Sequence, residues 1–142
     1  MVKQLSVFLE NTKGRLSQMT KVLQNADIDL LALSIADTTN FGILRAIVSD
    51  DDKAVAELKE AGYTVNLNEV IAVGVPDHPG GLSDVLDVLV NNDVSVEYLY
   101  SFVRKPKEKA LIIFKVDDVP LAIKALSENK VTLLSRDDLL KL

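Results

Sequence analysis

Sliding the 142-residue chain along itself by 66 positions brings its two halves into register. Gly14 falls on Gly80, Leu16 on Leu82, Ser17 on Ser83, and Val22 and Leu23 on Val88 and Leu89. Asn25 then meets Asn91, Asp27 meets Asp93, and Leu33 meets Leu99. Farther on, AVAELKEAGYTV matches AIKALSENKVTL at a shift of 68. The residues gained in between fit the charged stretch RKPKEK (104–109), read as a hairpin tip with Pro106 inside it. A repeat of this kind constrains the fold more than any single motif, because each copy must be one supersecondary unit.

Both copies read alike. A short strand, QLSVFL or VIAVGV, leads through a glycine-bearing turn into an amphipathic helix. Leu16, Met19, Val22, Leu23 and Ala26 recur at helical spacing in the first copy, and Leu82, Val85, Leu86 and Leu89 in the second. Asp27 and Asp93 fall in a short break after each helix. A long strand follows, IDLLALSIA or VSVEYLYSFV, then a hairpin and a third strand, FGILRAIV or ALIIFKV. Acids at Asp50, Asp51 and Asp52, or Asp117 and Asp118, suit the unpaired amides and positive dipole of a second helix start, and Pro120 fits there too. A final strand, YTVNL or KVTLL, closes each unit. The order β-α-β-β-α-β, twice, predicts an α+β chain of two ferredoxin-like units, 1–67 and 68–142, each with both helices on one face of an antiparallel sheet. VSVEYLYSFV is apolar on both faces, with Tyr98 and Tyr100 on one side and Leu99 and Val103 on the other. A sheet with one wet face alternates more cleanly. Units this small are marginal alone, so the two copies are expected to pack together and the chain to form a homodimer.

Composition narrows the function. Without cysteine there can be no disulfide, thiolate nucleophile, iron–sulfur cluster or cysteine zinc site, and a cytoplasmic location is the default expectation. No apolar run approaches the roughly 20 residues a bilayer needs, and the opening MVKQLSVFLE lacks the pattern of a secretory signal. A net charge of −5 argues against nucleic acid, which wants a clustered basic face, and the RKPKEK tip is read as a wet loop. No cofactor or metal is implied. Arg45, amid the apolar FGILRAIV, either pairs with an acid or snorkels outward.

The stretches ENTKGRL (10–16) and DHPGGL (77–82) lie at equivalent turns between strand one and helix one. Pro79 suits a first helical turn, which puts Asp77 or His78 at or beside the cap. Gly80 and Gly81, lacking Cβ, would let a ligand approach the helix amides, a ready site for a carboxylate. Asp77 could answer an ammonium group, so the pair of features suits a zwitterionic amino acid. His78 is the one histidine, and no nucleophile or orienting group accompanies it, so it is read as a solvated turn residue and no catalytic residue is assigned.

Asp77, Pro79, Gly80 and Leu82 resemble the Asn/Asp-x-Pro-Gly-x-Leu turn of the ACT domain, an amino-acid-sensing module of the same element order. Asn11, Gly14 and Leu16 match in the first copy, where Lys13 replaces the proline. The likeness covers nearly the whole chain, which is similar to free-standing tandem ACT proteins. It implies a regulatory L-amino-acid sensor without catalysis of its own, passing its signal to an enzyme partner. In that family a ligand often sits where two units lie side by side, so the resemblance pairs Asn11 with Ser95 and Asp77 with Asp29. The implied ligand residues are Asn11, Lys13, Gly14, Arg15, Leu16 and Asp29, with Asp77, Pro79, Gly80, Gly81, Leu82 and Ser95. Three other readings fit less well. A hydrolase of the acylphosphatase kind wants an arginine-bearing glycine loop around phosphate, and only Arg15 approaches that. An RNA-binding sheet wants paired aromatics, where the second copy offers Gly74 and Phe114. An interaction scaffold would keep the fold without the sensor.

Overall fold

The computed structural model describes residues 2–37, 40–102 and 109–142. Its elements run β1 (Val2–Glu10), α1 (Arg15–Asn25), β2 (Leu30–Asp37), β3 (Phe41–Val48), α2 (Asp51–Glu60), β4 (Val65–Pro76), α3 (Gly81–Asn91), β5 (Val96–Ser101), β6 (Lys109–Val116), α4 (Val119–Glu128), β7 (Thr132–Leu134) and α5 (Arg136–Leu140). The expected β-α-β-β-α-β order holds in both copies. Val103 and the part of the hairpin tip at 104–108, Pro106 included, lie outside the described residues.

The chain divides into two compact units, Lys3–Asn68 and Glu69–Leu142, with Val2 grouped with the latter. In the first, the strand order is β2-β3-β1-β4, with Phe8 N donating to Thr64 O at 3.0 Å. In the second, β4 pairs with β6 and β7, and β6 with β5. The final strand of copy one and the first strand of copy two are therefore one element, β4, not two as the sequence suggests. Between Val65 and Val75 no proline stands, and the only glycine is Gly74, so nothing stops the extended chain.

Alternation along the strands builds each core. Leu5, Val7 and Leu9 of β1 and Leu44, Ala46 and Val48 of β3 pack with Met19 and Leu23 of α1 and Leu58 of α2. Ile71, Val73 and Val75 of β4 and Phe114 of β6 pack with Val85 and Leu89 of α3 and Leu126 of α4. Among the described residues no helix is long and apolar enough to cross a membrane.

The repeat extends to single hydrogen bonds. Asp50 caps α2 by accepting from Lys53 N, and Asp118 caps α4 by accepting from Leu121 N, each at 3.1 Å. Asp117, expected to share the capping, instead accepts from Ser95 N at 2.9 Å. Asp27 and Asp93 both take left-handed backbone, at φ 58° and 61°, which ends α1 and α3 where the sequence breaks.

Helix α5 is an element the sequence reading missed. Ser135 accepts from Asp138 N at 3.2 Å while Asp138 accepts from Ser135 N at 2.9 Å, a reciprocal capping box. The Ser135 hydrogen bonds, backbone first, hold the Asp138 carboxyl below its ordinary value, with Lys141 adding to the effect. A carboxyl lowered in the folded state stabilises it above the unfolded pKa, and that contribution is lost as pH falls through the folded value. We therefore expect α5 amides to lose protection from hydrogen exchange on acidification below the ordinary aspartate range, and Asp138→Asn to remove that pH dependence.

Candidate functional site

The two turns between the first strand and first helix of each unit share one hydrogen-bond pattern. Thr12 N donates to Glu10 O at 2.8 Å, as His78 N donates to Pro76 O at 3.0 Å. Arg15 N donates to Thr12 O at 3.2 Å, as Gly81 N donates to His78 O at 3.0 Å. Gln18 N and Asp84 N then open the helices by donating to Gly14 O and Gly80 O. Gly14 and Gly80 are the N-caps, at φ 86° and 89°, a left-handed conformation that L side chains adopt at a cost. The glycine N-caps supply no side-chain cap of their own. The amides of Leu16 and Ser17, and of Leu82 and Ser83, are thus the first-turn donors that a helix cannot satisfy internally.

This geometry corrects two details of the sequence reading. The helix begins one residue past Gly80, so Pro79 precedes the cap and Asp77 and His78 lie farther out; the left-handed glycine, not an acid, ends the turn. Gly81 is buried, and a Cβ there would stand 2.0 Å from Pro76 O. Its lack of a side chain is explained by that backbone approach. Gly14 and Gly80 are different, since a Cβ at either would have nothing within 4 Å.

Asn11, Lys13, Leu16, Asp77 and Pro79 are exposed around these turns, and Leu82 is half-buried. His78 is exposed, with Nδ1 3.0 Å from Pro79 O. Arg15 is held: its guanidinium carbon lies 4.1 Å from the centroid of the Tyr63 ring, and its Nε is buried with no partner among the described residues. The sequence gives no sign of this contact, because the two residues are far apart along the chain.

Asp29 and Ser95 sit at matching places before β2 and β5. Asp29 N donates to Ser49 Oγ at 2.9 Å and Asp29 O accepts from Ser49 N at 3.0 Å. Ser95 makes the same pair with Asp117, at 2.9 and 3.1 Å. Asp29 borders a shallow hollow of about 570 Å³ together with Thr20, Gln24 and Asp27. The structure does not bring Asp29 near Asn11 within the first unit. They stand at opposite ends of α1, whose 11 residues span about 16 Å at 1.5 Å each. The turn and the strand-two start are separate places in a single unit.

Other residues resolve more simply. Tyr100 is buried and Tyr98 half-buried. Arg45 stands between Ser6 and Ser34 on the neighbouring strands.

Comparison with known proteins agrees with this architecture. The family model described as an ACT domain pair matches residues 1–142. The crystal structure of a protein from Bacteroides thetaiotaomicron is 43% identical, covers 99% of this chain and 96% of that one, and superposes with a TM-score of 0.93. The regulatory subunit of aspartate kinase from Thermus thermophilus, in its ligand-free form, is 14% identical, with a TM-score of 0.64 over 89% of this chain and 91% of that one. The corresponding subunit from Thermus flavus is 12% identical, with a TM-score of 0.61 over 89% and 90%. At such identity the last two bear on fold alone. A comparison with curated proteins gave no match.

Proposed function

The chain belongs to the ACT domain family as a pair of ACT domains, and from that membership we propose that it is a regulatory module that binds a small L-amino acid and carries no catalysis of its own. The observation that supports this best is the turn that recurs in both units, with a glycine at the helix start beside an exposed polar residue. In this reading the amides of Leu82 and Ser83, or of Leu16 and Ser17, hold the ligand carboxylate. Asp77 or Asn11 holds its ammonium, and Lys13 and the ring-held Arg15 add positive charge to the first turn. Asp29 and Ser95 supply the strand-two half-site. Occupancy is passed to an enzyme partner through the fold.

A thermal-shift screen of the amino acids tests the proposal. A ligand at about 100 times its Kd stabilises the folded state by about 2.7 kcal/mol, which for a chain of this size raises Tm by about 5–10 °C. At least one L-amino acid is expected to do this, and nucleotides are not. Asp77→Ala or Asn11→Ala should weaken that ligand by about ten- to a hundredfold, the loss of a charge-assisted hydrogen bond. A screen with no responding amino acid rejects the function; a responder indifferent to both substitutions rejects the site.

The proposal includes a homodimer. Leu33 on β2 and Leu99 on β5 are matching residues of strands that, among the described residues, have a partner on one side only, and they are 42% and 38% exposed. Apolar edge strands invite pairing. Light scattering is expected to report twice the chain mass, and Leu33→Lys with Leu99→Lys to halve it; a monomer at every workable concentration contradicts the assembly.

A further inference from the structure

Each unit has a hollow at the same place, beside the end of its first strand, the start of its first helix and the start of its last strand. Shifts of 66 and 68 relate several of their lining residues. Phe8 corresponds to Gly74, Arg15 to Gly81, Phe41 to Lys109 and Tyr63 to Val131. The strand register agrees, since Glu10 pairs with Phe41 as Pro76 pairs with Lys109.

The two hollows are furnished differently. In the first unit the Phe8 and Phe41 rings lie against each other, tilted by 36° with centroids 5.3 Å apart, and Arg15 lies on Tyr63, beside a space of about 220 Å³. In the second, glycine and valine stand where those large side chains would be, and the hollow widens to about 300 Å³. Gly74 has a specific effect there. A Cβ at that position would lie 3.2 Å from Lys109 Cδ and 3.3 Å from Thr132 Cβ. The bare strand lets the lysine stem lie across it and its ammonium donate to Thr132 Oγ1. Among the described residues that hydroxyl is the ammonium's one partner, which leaves two of its three donors for something else. Val85, Val88 and Val131 give the hollow an apolar wall. Its charged lining residues are Lys109, Lys130 and Asp84, two cations against one anion, a balance of +1.

We propose that this cavity of the second unit is a binding site for a small aliphatic monocarboxylate. The carboxylate is held by Lys109 Nζ and Thr132 Oγ1, and the branched tail lies against the three valines. A volume of about 300 Å³ is at the small end for ligand pockets, which limits the guest to a short chain. The balance of one positive charge matches one anion. The site lies within one unit, shares only Gly81 with the proposed ligand residues of the turn, and stands or falls independently of them.

The test uses 4-methylpentanoate titrated into the full chain carrying ¹³C-methyl valine, read by methyl NMR. Saturable shifts are expected at Val85, Val88 and Val131. Val131→Tyr installs the ring that the first unit carries at the matching position, and should abolish the shifts. Lys109→Gln changes a half-exposed side chain and should weaken binding by about tenfold or more, the loss of a charged donor. The turn-borne site holds its carboxylate on the amides of Leu82 and Ser83 and makes no use of Lys109, so a loss on Lys109→Gln separates the two sites. Valine methyls that do not respond, a Lys109→Gln protein that binds as before, or shifts that survive Val131→Tyr would each overturn the assignment.

Discussion

Gly81→Ala is expected to lower the stability of the protein by about 3 kcal/mol, the upper range for overpacking, and its Tm by roughly 10 °C. The new Cβ would stand 2.0 Å from Pro76 O and 3.1 Å from Pro76 C. No rotamer relieves this, because both atoms are backbone. Nor is the carbonyl free to retreat, since it accepts from His78 N at 3.0 Å and so closes the turn. The matching position in the first unit is Arg15, so the requirement comes from the local path of this turn and not from the fold. Thermal denaturation of the variant checks it; a Tm within 2 °C of the parent would mean that the turn adjusts at little cost.

A second large loss is expected from Phe114→Ala. Phe114 is fully buried at the centre of the second core, among residues of α3, α4 and β4. Truncating a buried phenylalanine costs about 3–5 kcal/mol, in lost transfer energy and in the cavity left behind. The comparison variant is Leu99→Ala, on a side chain that is 38% exposed in the same unit, where the expected loss is under about 1 kcal/mol. Denaturant midpoints that do not separate the two would contradict the placement of the core.

The sequence carried the architecture well for a physical reason. Core positions recur in both copies because each copy solves the same packing problem, so Leu23 and Leu89, or Leu58 and Leu126, survive as matched apolar residues. β3 begins and ends where FGILRAIV does, and Asp50 and Asp118 cap as expected. Three features were hidden. The single strand β4 has no local mark, because a strand that merely continues lacks stop residues. Helix α5 is too short to show a period, and only Ser135 with Asp138 three residues on could have disclosed it. The candidate site was legible as a turn but not as a geometry. Gly81 answers a backbone oxygen, Arg15 a ring 48 positions away, and the widened hollow of the second unit appears only when each lining residue is set against its counterpart.

The unbroken β4 also restricts how this chain can vary in length. Most fused modules are joined by a linker whose length drifts freely between descendants. Here the joint is a ladder in which side chains alternate faces residue by residue. Val65 belongs to one core, and Ile71, Val73 and Val75 to the other. A single residue inserted between Val65 and Ile71 would break the two-residue alternation of the strand, and a bulge would have to absorb it. Insertions and deletions in pairs would keep the alternation. The joint can therefore drift in composition while its parity is held.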